Sequence, residues 1–213
     1  EGDLLASTEC QLPELIACSE DGTCAVALEN GNVLLLNESL EILHDSPAAA
    51  DDVETISCMT FRSDGVLMVA RNSLGVTVDD RPENRIECWH PDRGLLNTTE
   101  VFSRVTYMLP TDDGVIAGCF DGSLLRMEIG SNEIEKISQF EYQVSCITGW
   151  GDDLLVASWF DIYRVSNDGS KIWQFEHPGI VESILSLGER VVLIGDDRKS
   201  GSIPAPIVII DPD

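Results

Sequence analysis

Five times along this 213-residue chain a short apolar run stops at a polar turn and restarts as a second apolar run. The turns fall at Asp21-Gly22, Asp64-Gly65, Asp113-Gly114, Asp152-Asp153 and Gly188-Glu189, spaced 43, 49, 39 and 36 residues apart. Such a period constrains the chain more than any single residue, because each unit must be one supersecondary element that buries its surface against the next. The first run of each pair alternates in polarity, as a half-buried strand does. The second is nearly continuously apolar, which fits a strand covered on both faces. The Asp-Gly pairs supply the positive φ that a tight hairpin requires.

Residues 53–70 and 142–158 match most closely. In both, a Ser-Cys pair sits at one offset, with Cys58 and Cys146 each six residues before the turn aspartate. Third strands follow at 32–36, 85–89, 123–128, 161–165 and 206–210, and weaker outer strands at 133–139 and 171–175. Four strands repeating at this period predict an all-β chain: a β-propeller of about five four-stranded blades. Units of about 11–46, 53–101, 103–140, 142–177 and 180–213 form a single domain spanning 1–213. Two polar segments, 74–84 and 197–204, interrupt the pattern as rim loops. The last unit lacks an outer strand, while residues 3–9 read as an outer strand without partners. Either that strand completes the fifth blade and closes a five-blade ring, or the chain is a segment of a larger propeller. No sustained 3.6-residue periodicity is present, so almost no helix is expected.

These residues resemble two propeller superfamilies over essentially the whole chain. Ile56-Ser57-Cys58-Met59-Thr60-Phe61-Arg62-Ser63-Asp64-Gly65 resembles the strand-to-turn signature of WD repeats. Asn167-Asp168-Gly169-Ser170-Lys171-Ile172-Trp173 resembles the turn-plus-tryptophan of quinoprotein-like repeats (those of pyrroloquinoline-quinone dehydrogenases), which implies an indole docked between blades. The quinoprotein likeness also implies an enzymatic alternative: a pyrroloquinoline quinone in the central funnel, over a tryptophan floor with calcium and a catalytic aspartate. Trp89, Trp150, Trp159 and Trp173 lie in different units, and none is flanked by such a set.

Acidic residues outnumber basic ones by 38 to 13, giving a net charge of −25. Residues 1–61 hold 13 acids and no Lys or Arg. A surface this negative repels phosphate backbones and anionic bilayers, which excludes nucleic acid and membrane insertion as partners. It suits either high-salt solubility or docking of a basic protein. All seven cysteines lack a C-x-x-C or zinc-type spacing. Several lie inside apolar runs, the habit of buried free thiols, and this points to a reducing, cytoplasmic compartment. The sequons Asn37-Glu38-Ser39 and Asn97-Thr98-Thr99 point instead to an extracellular chain whose signal peptide was lost with the N-terminus.

The acids occur in pairs, but aspartate is the ordinary residue of hairpin turns. Asp196 and Asp197 are the weak candidates for a calcium site. His44, His90 and His177 are dispersed and read as loop residues, two of them before proline. Neither a Gly-x-Ser-x-Gly elbow nor a phosphate-cradling loop occurs. No catalytic or cofactor-binding residue is assigned, no cofactor is expected, and the reading leans away from an enzyme. The favoured function is a non-catalytic scaffold, or a domain of a larger assembly, that binds protein partners of basic character. Its contact residues would be Asp79, Asp80, Arg81, Arg85, Arg198 and Lys199, on the two inserted loops. A ligand-binding or enzymatic propeller, quinone-dependent or carbohydrate-active, is the alternative.

Overall fold

The computed structural model describes residues 7–48, 54–73, 80–131, 133–196 and 207–212. Those residues form nineteen strands in five sheets and no helix. The first sheet holds β1 (Pro13–Cys18), β2 (Cys24–Leu28), β3 (Val33–Leu36) and β4 (Ile42–Ser46). The second holds β5 (Glu54–Phe61), β6 (Leu67–Ser73), β7 (Asn84–His90) and β8 (Gly94–Glu100). The third comprises β9 (Val105–Thr111), β10 (Gly114–Cys119), β11 (Ser123–Glu128) and β12 (Glu135–Gln139). Next come β13 (Val144–Trp150), β14 (Asp153–Ser158), β15 (Asp161–Val165) and β16 (Lys171–Glu176). Among the described residues the fifth sheet has three strands, β17 (Ile180–Leu187), β18 (Arg190–Asp196) and β19 (Ile207–Ile210). Consecutive strands are neighbours in every sheet, so each is an antiparallel meander. No helix among these residues is long and apolar enough to cross a membrane.

All five predicted turns join the first and second strands of a sheet. The proposed completing strand at 3–9 falls partly outside the described residues, and 7–9 form no strand. His44 and His90 belong to β4 and β7 rather than to loops, while His177 lies in the β16–β17 link and is buried.

The aspartates of the turns act through one repeated bond. In Asp21-Gly22-Thr23, Asp64-Gly65-Val66, Asp121-Gly122-Ser123 and Asp168-Gly169-Ser170, the Asp Oδ1 accepts the backbone N–H two residues on, at 2.9–3.3 Å. The intervening glycines take φ of +77 to +88°. Such side-chain capping mimics a backbone turn. Gly169 has a second reason to be glycine, because a Cβ there would run into the Ile137 carbonyl of the neighbouring sheet.

Two compact units divide the chain: Glu1–Val105 with Pro110–Val115 and Glu128–Glu133, and Thr106–Leu109 with Ile116–Met127 and Ile134–Asp213. In the second unit, Phe140, Val144, Ile147, Leu154, Val156 and Tyr163 form one core. Leu155, Ile162, Val181 and Leu193 form another, against which Trp173 packs. The Trp173 indole donates to the Pro212 carbonyl at 2.9 Å, which ties the fourth sheet to the segment that follows β19.

The sheets are also joined by hydroxyls on their first strands. Register steps past one residue in β5, β13 and β17, leaving Ser57, Ser145 and Glu182 as bulge residues. Bulges re-aim a side chain away from its own ladder. Ser57 Oγ donates to the Val105 carbonyl at 2.5 Å. Thr106 Oγ1 reaches the Val144 carbonyl at 2.5 Å, and Ser145 Oγ the Val181 carbonyl at 2.6 Å. Each hydroxyl thus ties its strand to the first strand of the next sheet.

The first unit has a feature of a different kind. Arg71 and Arg85 stand opposite each other on β6 and β7, and both are essentially unexposed. Like charges placed this way repel, and buried Glu54 and Glu87 neutralise them. Glu87 accepts from Arg71 Nε at 2.8 Å and from Arg85 Nε at 2.9 Å. Glu54 accepts from Arg85 Nη1 at 2.5 Å and lies 3.7 Å from Arg71 Nη1. Arg71 continues into the first sheet, donating to the Gly31 carbonyl and to Ser46 Oγ at 2.7 Å. Burial alone would raise the Glu87 carboxyl, but the charges and hydrogen bonds of Arg71 and Arg85 outweigh it and hold the group below its ordinary value.

Removing one partner from a buried ionic cluster strands the rest. Arg71→Met should therefore cost about 3–5 kcal/mol in urea unfolding, whereas replacing all four residues with packed apolar ones should cost far less. A second expectation concerns acid. Hydrogen bonds from Ser19 and the Thr23 N–H hold the Asp21 carboxyl low, and those from Ser166 and the Ser170 N–H do the same for Asp168. For Asp64, burial is outweighed by Arg62 and the Val66 N–H. A folded pKa below the unfolded value near 4 means stability present above that pH and lost as pH falls through the folded value. Asn at all three positions keeps the acceptor, so acid titration of the triple variant, followed by circular dichroism, should show a shallower loss of stability below about pH 4.

Candidate functional site

The residues expected on the inserted loops divide. Asp80 is exposed and Arg81 half-buried on the approach to β7. Asp79, Arg198 and Lys199 lie outside the described residues, as does Asp197. Asp196 ends β18 and is half-buried. Among the described residues no three His, Cys, Asp or Glu side chains gather to hold a metal ion. Arg85 requires correction: it is a buried member of the ionic cluster in β7, 1% exposed, and cannot meet a partner as a loop residue. Its place beside Ile86 inside an apolar strand is what fixes its role.

A feature that sequence reasoning missed lies in the second unit, on the turns between second and third strands. Ser158 pairs with Asp161, so Trp159 and Phe160 form a two-residue hairpin loop. Its first residue takes φ of +57°, a position where hairpins of this kind ordinarily carry glycine. In the third sheet the corresponding turn is one residue longer, and its left-handed position, the last, is Gly122. An indole in left-handed backbone is strained by about 1–3 kcal/mol and persists only where its surroundings over-determine it. They do so here: the Trp159 carbonyl accepts the Val181 N–H at 2.8 Å, and the Phe160 carbonyl accepts the His177 N–H at 2.7 Å.

The strained loop presents its indole to solvent. Trp159 is 38% exposed, and the Tyr142 ring meets it edge-on at 4.6 Å. Ser158 Oγ donates to the Tyr142 carbonyl at 2.8 Å and fixes that segment. Phe120, on the neighbouring turn, is also exposed. Carboxylates accompany the rings. A hydrogen bond to Glu141, then the charges of Glu141 and Asp161, raise the Tyr142 phenol above its ordinary value. Aromatic faces beside carboxylates make a surface suited to a cation. The same unit already uses that chemistry internally: Lys171 Nζ sits 4.7 Å from the Phe140 ring centre and 5.0 Å from that of Tyr163.

In the first unit, the hairpin tips of the first two sheets and Pro110–Asp112 line a cleft of about 810 Å³. Ile16 and Met59 give it apolar walls, and Glu20, Asp21 and Asp112 an acidic lip. Its arginine, Arg62, is held by Asp64 through two bonds of 2.6 and 3.0 Å.

No family model matches the chain, and no curated protein does. Solved structures share its fold. The β-propeller domain of Cps50 (Swd1) from Myceliophteria thermophila superposes with a TM-score of 0.69 at 10% identity, over 98% of this chain and 74% of that one. The WD40 β-propeller domain of Doa1 gives 0.62 at 14% identity, over 82% of this chain and 58% of that one. BBS1N, solved in complex with ARL6DN, gives 0.62 at 15% identity, over 94% of this chain and 64% of its own. The chain thus spans less than two thirds of the last two. With its repeated antiparallel sheets, this likeness establishes a β-propeller fold.

Glycine at residue 159 relieves the left-handed strain while losing the edge contact with Tyr142. Trp159→Gly should then change unfolding free energy by less than about 1 kcal/mol, far below the 3–5 kcal/mol usual for truncating a packed tryptophan. Chemical denaturation of the two proteins measures the difference.

Proposed function

We propose that this propeller is a protein-interaction scaffold whose second unit binds an arginine- or lysine-bearing segment of its partner at Tyr142, Trp159, Glu141 and Asp161. The observation that carries the reading is the exposed indole in left-handed backbone, a costly arrangement of a kind that clusters at binding sites. Tryptophan and tyrosine are the residues that most often anchor interfaces. The flanking carboxylates and the net charge of −25 favour a basic partner and speed its approach at low salt. One fold neighbour, BBS1N, was solved with a protein partner, which is consistent with such a role.

The reading is tested on an array of peptides that vary in Arg, Lys and Glu content, with calorimetry on the best binder. Basic peptides should be selected. Trp159→Ala and Tyr142→Ala should each weaken binding roughly 30-fold, an anchor-sized effect. Glu141→Gln with Asp161→Asn should flatten its salt dependence. Selection of acidic peptides, or unchanged affinity in both folded aromatic variants, would contradict the reading.

A further inference from the structure

Two cysteines face each other across the base of the first hairpin. Cys18 ends β1 and Cys24 begins β2, and the two are direct cross-strand partners. Ser19 N–H donates to the Thr23 carbonyl at 2.8 Å, making 19 and 23 the hydrogen-bonded pair. The cysteines therefore occupy the adjacent non-hydrogen-bonded pair, where antiparallel strands bring side chains closest, with Cα atoms about 4.5 Å apart. That separation lies within the range that a disulfide spans. The Asp21-Gly22 turn holds the geometry, through Asp21 Oδ1 on the Thr23 N–H and φ of +88° at Gly22.

The two cysteines are free, with Cys18 Sγ 3.1 Å from Cys24 Sγ. That is about 1 Å beyond a bonded S–S distance. Cys18 is exposed and lines the cleft of the first unit, and Cys24 is half-buried behind it. Four of the other five cysteines differ. Cys88, Cys119 and Cys146 are buried in strands. Burial pushes the thiols of Cys58 and Cys146 up to about 12 and that of Cys88 to about 11.

From this geometry we infer that Cys18 and Cys24 form a redox-active dithiol, a site that a small disulfide of the glutathione class converts to an intramolecular disulfide. The exposed Cys18 thiolate attacks one sulfur of the oxidant, forming a mixed disulfide and releasing the first small thiol. Cys24 then gives up its proton to solvent and attacks Cys18 Sγ, closing the Cys18–Cys24 bond and expelling the second small thiol. Two protein thiols lose two electrons, and one small disulfide gains them as two thiols. Burial, then the hydrogen bond and charge of Cys18, push Cys24 up to about 11, so the second step should accelerate as pH rises. The product ties off the hairpin that carries Ser19, Glu20 and Asp21 along the cleft wall. The site is independent of the aromatic surface of the second unit.

Incubating the whole folded chain with oxidised glutathione, then counting free thiols and mapping the linked peptides, tests it. Free thiols should fall from seven to five, with one bridge joining residues 18 and 24. Cys18→Ser should keep all six of its thiols under the same treatment. Cys24→Ser, lacking the resolving thiol, should stop at a glutathione adduct on Cys18. A stable adduct on the natural chain, a bridge between other cysteines, or seven surviving thiols would each overturn the inference.

Discussion

A four-stranded meander has two faces, and the strands at its middle have apolar side chains for both. In β6 and β10 nearly every residue is buried, and in β14 all but the first. A lone sheet cannot achieve this, so every such sheet requires neighbours, and the repeat becomes a fold only when the sheets stack. The remaining features follow from how that stacking is fastened. Side-chain packing supplies most of the burial, and hydroxyls on the first strands set where one first strand meets the next. Ser57, Thr106 and Ser145 perform this role at equivalent positions. Glu182 occupies the matching bulge in the fifth sheet and is exposed.

The first unit adds a polar fastening to the apolar one. Arg71 spans from its own strand to Gly31 and Ser46 of the first sheet, and its charge survives burial because Glu54 and Glu87 lie beside it. An ionic cluster of this kind adds little net stability over a hydrophobic equivalent, but losing one of its members leaves an uncompensated buried charge. Packing of the two sheets is thereby tied to one arrangement of four named side chains.

Much of this could be read from the residues. Strand positions and turns emerge from alternation, apolar runs and Asp-Gly pairs, all of which are local. The shared Ser-Cys offset at Ser57-Cys58 and Ser145-Cys146 marks a bulged serine followed by a cysteine that points into the sheet stack. Arg85 reads as a surface contact because a charge beside a polar insert looks exposed, and its carboxylate partners lie 31 and 2 residues away. Trp159 was also opaque. A tryptophan in a predicted strand-turn-strand reads as packing, and nothing in sequence announces that a two-residue turn will set its backbone left-handed. The Cys18–Cys24 pairing depended on register, which separates a facing pair from one on opposite faces of the sheet.

In the proposed role, the strained, exposed indole with its carboxylate neighbours is the recognition surface of an otherwise structural repeat. Its most direct test is the indole N–H spectrum of the four tryptophans during titration with an arginine-containing peptide. The Trp159 signal should move first and furthest, while those of Trp89 and Trp173, bonded to Glu87 and the Pro212 carbonyl, stay in place. A saturating shift confined to Trp89 or Trp173, or binding that leaves Trp159 unchanged, would contradict it.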